Sequence, residues 1–431
     1  MGICLALLHR PAPLKLQAAA LTPLPSPAST NSNSTFATAA EALGMLLQVV
    51  GNLADKVQTK ELDSIHSEDV ILSASVNALL HQATFMELPR RNPFRAEVTQ
   101  FSQHVAALHL AGDTRREAAA VKELQNVQAS FDRIKTYFPE TALAAARHAA
   151  SVFTCPRHRD VIGQRTDTCP KCAGQLDQQV RLVPAFCGLP TPNTNPVRAT
   201  VRTEQSLATG TVVTAFLQLT RADRTTVYYA DLITAHTERI QLLLIDSSLT
   251  DYHHEHPRPT SVPGEYAFSF TPRQPGPYTL WADLRPQPLG LQEYATTTLP
   301  APTMGQTVDR TLTNRVVVDG LIYQLSFGRD TLKANVPTPG RLRISQSDGT
   351  PFTQLEPLME AFAHLVAFHE DGQTILHLHP KGAPVRSSTA RGGPELEFQL
   401  YAMKPGFVRL FAQVQIGGVT QYAPFGLRVV W

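Results

Sequence analysis

An internal repeat in the C-terminal half constrains this 431-residue chain more than any other feature. Gln241-Leu-Leu-Leu-Ile begins fifteen positions before His256-Pro257, and His364-Leu-Val-Ala-Phe begins fifteen positions before His379-Pro380. Both copies carry His-x-His-Pro, as His254-Glu-His256-Pro257 and His377-Leu-His379-Pro380. Each copy then has an alternating stretch (YAFSF, LEFQL), a Pro-Gly pair (Pro275-Gly276, Pro405-Gly406) and a closing run (YTLWADL, VRLFAQV). A shared order of features over such a span implies one supersecondary unit used twice. Thr, Val, Tyr and Phe are common here, and apolar and polar residues alternate, as in TVVTAFLQLT. A period of two with Pro and Gly punctuation is the mark of half-buried strands. The pattern predicts two tandem β-sandwich domains, 199–300 and 313–431.

Residues 37–150 follow a different period. Leu43, Leu46, Val50, Leu53 and Val57 step by three and four, as do Leu72, Val76, Leu79, Ala83 and Met86. Phe94, Val98, Phe101, Val105 and Leu108 make a third stripe, and Val121, Leu124, Val127, Phe131, Ile134 and Phe138 a fourth. Such stripes belong to amphipathic helices. Breaks at Lys60-Glu61, Pro89 to Pro93 and Gly112-Asp113 separate them. Four stripes with short connections predict an antiparallel four-helix bundle. The whole is a multidomain α plus β chain.

Between the two halves, 151–185 holds Cys155-Pro-Arg-His158, ten residues, and Cys169-Pro-Lys-Cys172. A Pro- and Asn-rich linker, 186–198, follows. Two knuckles this close place three thiolates and one imidazole around one ion, the donor set of a closed tetrahedral Cys3His zinc site. Cys155, His158, Cys169 and Cys172 are therefore the primary candidate ligands in a small zinc-knuckle-like module. Zn(II) is the first candidate ion, with Cu(I) or Cu(II) as alternatives. Cys187 is a spare thiol, able to replace a ligand or pair with a cluster cysteine. Without metal, disulfides are the competing reading of the cluster.

The histidine repeats supply two further candidates. Residues i and i+2 of a strand share a face, so His377 and His379 project together, as do His254 and His256. His364, at the start of the preceding strand, reaches the face of His377 and His379. Three imidazoles suit copper or zinc. The first copy has Gln241 where the second has His364, so His254 and His256 lack a third ligand; Tyr252, His253 and His236 are the nearby substitutes. The bland reading makes His-x-His-Pro a turn whose imidazoles hydrogen-bond backbone.

Several functions are disfavoured. A formal charge of +2 gives no basic field for nucleic acid. No apolar run approaches the roughly 18 residues of a membrane span. There is no nucleophile elbow, Gly-rich phosphate loop or His-Glu-x-x-His. Asp246, Asp251 and Glu255 are weak acid/base candidates, and an enzyme using His364, His377 and His379 is a minor reading. Met45, His81, Met86, His104 and His109 in the helical part read as core or surface residues before cofactor ligands.

The stretch VFTCPRHRDVIGQRTDTCPKCAGQL resembles the short heavy-metal-binding domain of bacterial copper and silver efflux components and metal-transporting ATPases. Cys155, Pro156, His158, Cys169, Pro170, Cys172 and Leu176 match its pattern. The family's first Met is Arg157 here, and its Gly-Met pair is Ala173-Gly174. Losing both thioethers moves the expected ion from Cu(I) toward zinc. The two repeats resemble tandem, immunoglobulin-like β-domains that accompany such modules in exported bacterial proteins. The resemblance implies a periplasmic or otherwise exported, non-enzymatic protein. It would sequester metal or hand it to an efflux or other envelope partner, as part of metal homeostasis. Residues 1–36 then read as an export-signal-like or disordered tail. The alternative is a zinc-stapled structural protein whose β-domains bind other proteins.

Overall fold

The computed structural model describes residues 39–151, 153–155, 162–163, 167–176, 178–179, 196–235, 237–334, 336, 338–378, 380–382, 384–402 and 404–431. The N-terminal part is helical: α1 (Ala39–Gln58), α2 (Asp69–Gln82), α3 (Leu88–Asp113), α4 (Glu117–Lys135) and α5 (Glu140–Ala150). The four apolar stripes lie on α1 to α4 and the turns after them. Leu46, Leu53, Leu72, Leu79, Phe94, Phe101, Val127 and Phe131 are all buried in one core. Helix α3 starts ahead of the Pro89–Pro93 break, because Pro89 occupies its first turn, where no amide partner is lost.

The expected four helices become five. The sequence of α5, ETALAAARHAA, is too Ala-rich to draw a stripe of large side chains. It still packs on α1: Ala146 enters the core, and Gln48 Nε2 donates to the Ala150 carbonyl at 3.0 Å.

A small antiparallel sheet follows, β1 (Phe153–Thr154), β2 (Ile162–Gly163) and β3 (Gln178–Gln179), ordered β2-β1-β3. The next strands are β4 (Val197–Thr203), β5 (Val213–Arg221), β6 (Gln241–Asp246), β7 (Tyr252–Glu255), β8 (Arg258–Pro259), β9 (Glu265–Phe270), β10 (Tyr278–Leu284) and β11 (Glu293–Leu299). They form two sheets, β4-β5-β9-β8 and β11-β10-β6-β7. Leu217, Leu219 and Phe268 of one sheet bury against Leu242, Leu244 and Leu280 of the other. Strand β4 opens at Val197, two residues inside the expected linker.

The remaining strands are β12 (Arg315–Val318), β13 (Leu321–Phe327), β14 (Leu332–Lys333), β15 (Thr338–Gln346), β16 (His364–His369), β17 (Ile375–Leu378), β18 (Glu395–Leu400), β19 (Gly406–Ile416) and β20 (Val419–Val430). Their sheets are β12-β13-β15-β18 and β14-β20-β19-β16-β17. The order β20-β19-β16-β17 repeats β11-β10-β6-β7, so the sequence repeat is also a repeat of topology. Strands β7 and β17, which begin the two His-x-His motifs, each form an edge.

The two repeated sheets pack on one another. Leu243, Ile245, Tyr252 and Trp281 of the first copy bury against Val366, Phe368, Ile375 and Phe411 of the second, with Tyr294 and Tyr422 alongside. Each residue faces a partner set drawn from its own repeat equivalents: Leu243 matches Val366, Ile245 matches Phe368, Tyr252 matches Ile375 and Trp281 matches Phe411. Using one patch on both sides is the self-complementary logic of a twofold interface. It explains the near-continuous apolar runs QLLLID and HLVAFH, since a strand covered on both faces does not alternate.

The helices dock on the first sandwich through the loop after β10. Leu291 inserts into the helical core. Ser73 Oγ donates to the Gln292 carbonyl at 2.8 Å, and Gln103 Nε2 to that of Pro288 at 3.3 Å. Beneath them lies a buried ionic group. His109 Nδ1 is 3.0 Å from Asp69, His109 Nε2 is 2.9 Å from Asp113, and Arg285 Nη2 is 3.0 Å from Asp69. Burial and the Arg285 guanidinium push the His109 pKa down, but the carboxylates of Asp113 and Asp69 outweigh them and leave it at about 9.

Candidate metal centre

Cys155 directly follows β1, and the second knuckle sits on a tight turn between the paired Thr168 and Gln175. The turn is built by backbone hydrogen bonds. The Cys169 amide donates to the Gly174 carbonyl at 2.7 Å, and the Cys172 and Ala173 amides to the Cys169 carbonyl at 3.3 and 2.7 Å. Ala173 carries the left-handed conformation the turn needs, with φ of 56°. That is the position where the resembled family has glycine. At Gly174 a β-carbon would stand 3.4 Å from Cys172 Sγ.

The three sulfurs converge. All lie within 4.8 Å of one another, and Cys155 Sγ is 3.6 Å from Cys172 Sγ. A disulfide would need about 2.05 Å, and none of the three is in a disulfide among the described residues. Thiolates at about 2.3 Å from a tetrahedral zinc stand about 3.8 Å apart, so the spacing fits a shared ion. Cys155 and Cys169 are buried with Leu176, while Cys172 is partly exposed. A backbone hydrogen bond at Gly174 lowers the Cys172 pKa, but burial and the neighbouring Cys155 and Cys169 thiols outweigh it and leave it raised. Crowded thiols resist ionising together; a cation among them reverses that preference. His158, Cys187 and His236 lie outside the described residues.

Three of the histidines assigned to the two repeat sites, His254, His256 and His364, lie near one another. His254 comes from β7, opposite Leu243 and therefore on the interface face of its sheet. His364 opens β16 on the matching face of the second copy. Their ring centroids are 6.2 Å apart, and those of His254 and His256 are 4.9 Å apart. Two glutamines hold the His254 ring: His254 Nδ1 is 2.8 Å from Gln413 Oε1, and His254 Nε2 is 2.8 Å from Gln241 Oε1. His256 Nε2 is 3.0 Å from that same Gln241 oxygen. The backbone of His377 pairs with Val366; its side chain and all of His379 lie outside the described residues.

Two of the three substitute ligands, Tyr252 and His253, go elsewhere. Tyr252 is buried among Phe368, Phe411 and Tyr422. His253 alternates to the opposite face, 3.0 Å from Asp251 and edge-on to Phe270. The acid/base candidates are held in local structure. Asp246 accepts from the amides of Ser248, Thr250 and Asp251, each at 2.8 Å. Asp251 accepts from Arg273 Nε at 2.7 Å and from the Tyr278 hydroxyl. Burial raises the Asp251 pKa, but His253 and these donors outweigh it and hold it well below the carboxylate range. Burial alone raises Glu255 to about 7. In the helices, Met45 is a core residue, Met86 packs against that core, His81 stacks edge-on with Phe85, and His104 pairs with Glu123 at 3.1 Å.

Sequence reasoning misses the acceptor role of Gln241, and misses Gln413 entirely. The repeat holds a signal for the second, since Gln413 occupies the position of Asp283 in the first copy. No local signal marks the Asp69–His109–Arg285 group, whose members are up to 216 positions apart.

A family model described as Domain of unknown function (DUF8832) matches residues 316–430, nearly all of the second sandwich. No curated protein matches the chain. Among solved structures the chain is similar to the D0-D1 domain of Intimin, at 13% identity over 55% of this chain and 100% of that one. The TM-score is 0.16, and this likeness carries no argument about the fold or its use.

Proposed function

We propose that this is a non-enzymatic metal-binding protein that captures a thiophilic ion, Zn(II) first and copper second, at Cys155, Cys169 and Cys172, with His158 as the fourth ligand. The observation that carries the reading is the convergence of three cysteine sulfurs within 4.8 Å. The partial exposure of Cys172 gives the ion a route in and out, which suits sequestration or transfer better than permanent storage. The resemblance to heavy-metal-binding domains of efflux systems points the same way, and with the immunoglobulin-like resemblance of the sandwiches it favours an exported protein serving an envelope metal partner. No helix among the described residues is long and apolar enough to cross a membrane, so a membrane partner would be a separate protein or act through another segment.

A second reading rests on its own observation. Among the described residues, Cys155, Cys169 and Leu176 make up the buried centre of the module, and its described strands are only two residues long. So small a core rarely holds without a metal, which favours a structural zinc staple. Chelation with folding followed by circular dichroism and metal by mass spectrometry separates the two. Release of zinc with the module's fold retained supports a carrier; release only on unfolding supports the staple. A protein that never holds metal at these thiols contradicts both.

A further inference from the structure

We propose that the two β-repeats build one shared site for a borderline divalent transition-metal ion, such as Zn(II) or Cu(II), on His254 Nε2, His256 Nε2 and Gln241 Oε1. Gln413 and His364 of the second repeat close it from across the interface. This site is distinct from the thiol knuckle in place and in chemistry.

Three donor atoms already converge there. Both Nε2 atoms lie within 3.0 Å of the Gln241 oxygen, at 2.8 and 3.0 Å. Ligands at about 2.0–2.1 Å from a tetrahedral zinc stand about 3.3 Å apart, so a shift of a few tenths of an ångström admits the ion. Gln241 cannot simply turn its amide nitrogen to the rings, because that nitrogen donates to the Ala235 carbonyl at 3.1 Å. The oxygen is therefore the atom offered to both imidazoles.

The surrounding groups orient these donors as outer partners of metal-bound histidines do. Such a histidine gives its other ring N–H to a carbonyl or carboxylate. His254 Nδ1 faces the Gln413 side-chain oxygen at 2.8 Å; His364, itself an outer group, is held by the carbonyls of Leu358 and Met359 at 3.2 and 3.4 Å. His254 thus meets an amide oxygen at each ring nitrogen, yet a neutral imidazole has a single N–H. A cation taking the Nε2 lone pair satisfies both contacts. Gln241, His254, His364 and Gln413 are all buried.

Among the described residues the thiols are the group with three His, Cys, Asp or Glu donors within 4.8 Å. The interdomain site has two imidazoles and an amide oxygen instead, a nitrogen and oxygen set that favours borderline ions over the soft ions preferred by thiolates. The three ligands come from the first repeat, and Gln413 of the second holds the far nitrogen of His254, so occupancy and domain docking are linked through that contact.

The test is metal stoichiometry of the reduced, chelator-stripped full chain, with Co(II) and Zn(II) as probes. Wild type should bind two equivalents. A Cys155→Ser/Cys169→Ser/Cys172→Ser protein should keep one whose Co(II) form lacks sulfur-to-cobalt charge-transfer absorption. His254→Gln/His256→Gln should keep only the equivalent that shows it, and His364→Gln, which installs the residue of the first repeat, should weaken the second site about tenfold. Unchanged stoichiometry in the His254→Gln/His256→Gln protein overturns the site and leaves a hydrogen-bonded lock. A wild type that binds only an equivalent without sulfur absorption would sink the knuckle reading and leave this one standing.

Discussion

Cys155 and Cys172, seventeen positions apart, bring their sulfurs to 3.6 Å without a disulfide. Neutral thiols gain little from such an approach, whereas thiolates around a cation gain a great deal. Removing one of them should therefore act on metal rather than on the two sandwiches. Cys172→Ser is expected to weaken Zn(II) binding by on the order of 100-fold or more, read by competition with a chromogenic chelator. The unfolding midpoint of the sandwiches should stay where it is.

Ala173 sits at a φ of 56°, where a β-carbon is penalised and glycine is not. Ala173→Gly should stabilise the second knuckle by about 0.5–1 kcal/mol. Slower loss of zinc to a chelator would report it. A faster loss would mean that the methyl group contributes more than the strain it causes.

Tyr252 fills the centre of the sandwich interface, and its hydroxyl has no hydrogen-bond partner among the described residues. Truncation to Ala should cost about 3–5 kcal/mol, as for other large aromatic groups. Tyr252→Phe should be neutral or stabilising by up to about 1 kcal/mol, because a buried hydroxyl without a partner is a liability. Urea denaturation of both variants checks the pair; a large loss for Phe would reveal a partner for the hydroxyl.

The Asp69, His109, Asp113 and Arg285 group should make helix docking depend on pH. His109 titrates at about 9 when folded and at 6.5 when not. Its stabilisation is fully present below pH 6.5 and is lost as pH rises through 9, a change on the order of 2–4 kcal/mol. Arg285→Ala, which leaves Asp69 buried without its guanidinium, should cost about 3–5 kcal/mol at neutral pH. Denaturation curves from pH 6 to 10 test this, and a flat profile would show that the imidazole is neutral in the fold.

What could be read from the sequence was local. Leu46, Leu53, Phe94 and Phe101 announce their helices because large apolar side chains recur at helical spacing; α5 stays hidden because alanine carries little hydrophobic signal. The knuckle cysteines are legible for the same reason, since a tight turn sets their geometry within a few residues. His254 and His364 show the limit. Their motifs and strand faces can be read from alternation, but their meeting depends on which outer sheet face covers which. Nothing local encodes that choice: Leu243 and Val366 look like strand residues buried in their own sandwich. Gln413 touches His254 from 159 positions away, a contact created by docking two whole domains.

The most direct measurement is X-ray absorption at the zinc edge, on the His254→Gln/His256→Gln protein loaded with one equivalent so that only the knuckle is filled. Three sulfurs at about 2.3 Å and one nitrogen at about 2.0 Å are expected. A first shell of nitrogen and oxygen alone would contradict metal capture by Cys155, Cys169 and Cys172.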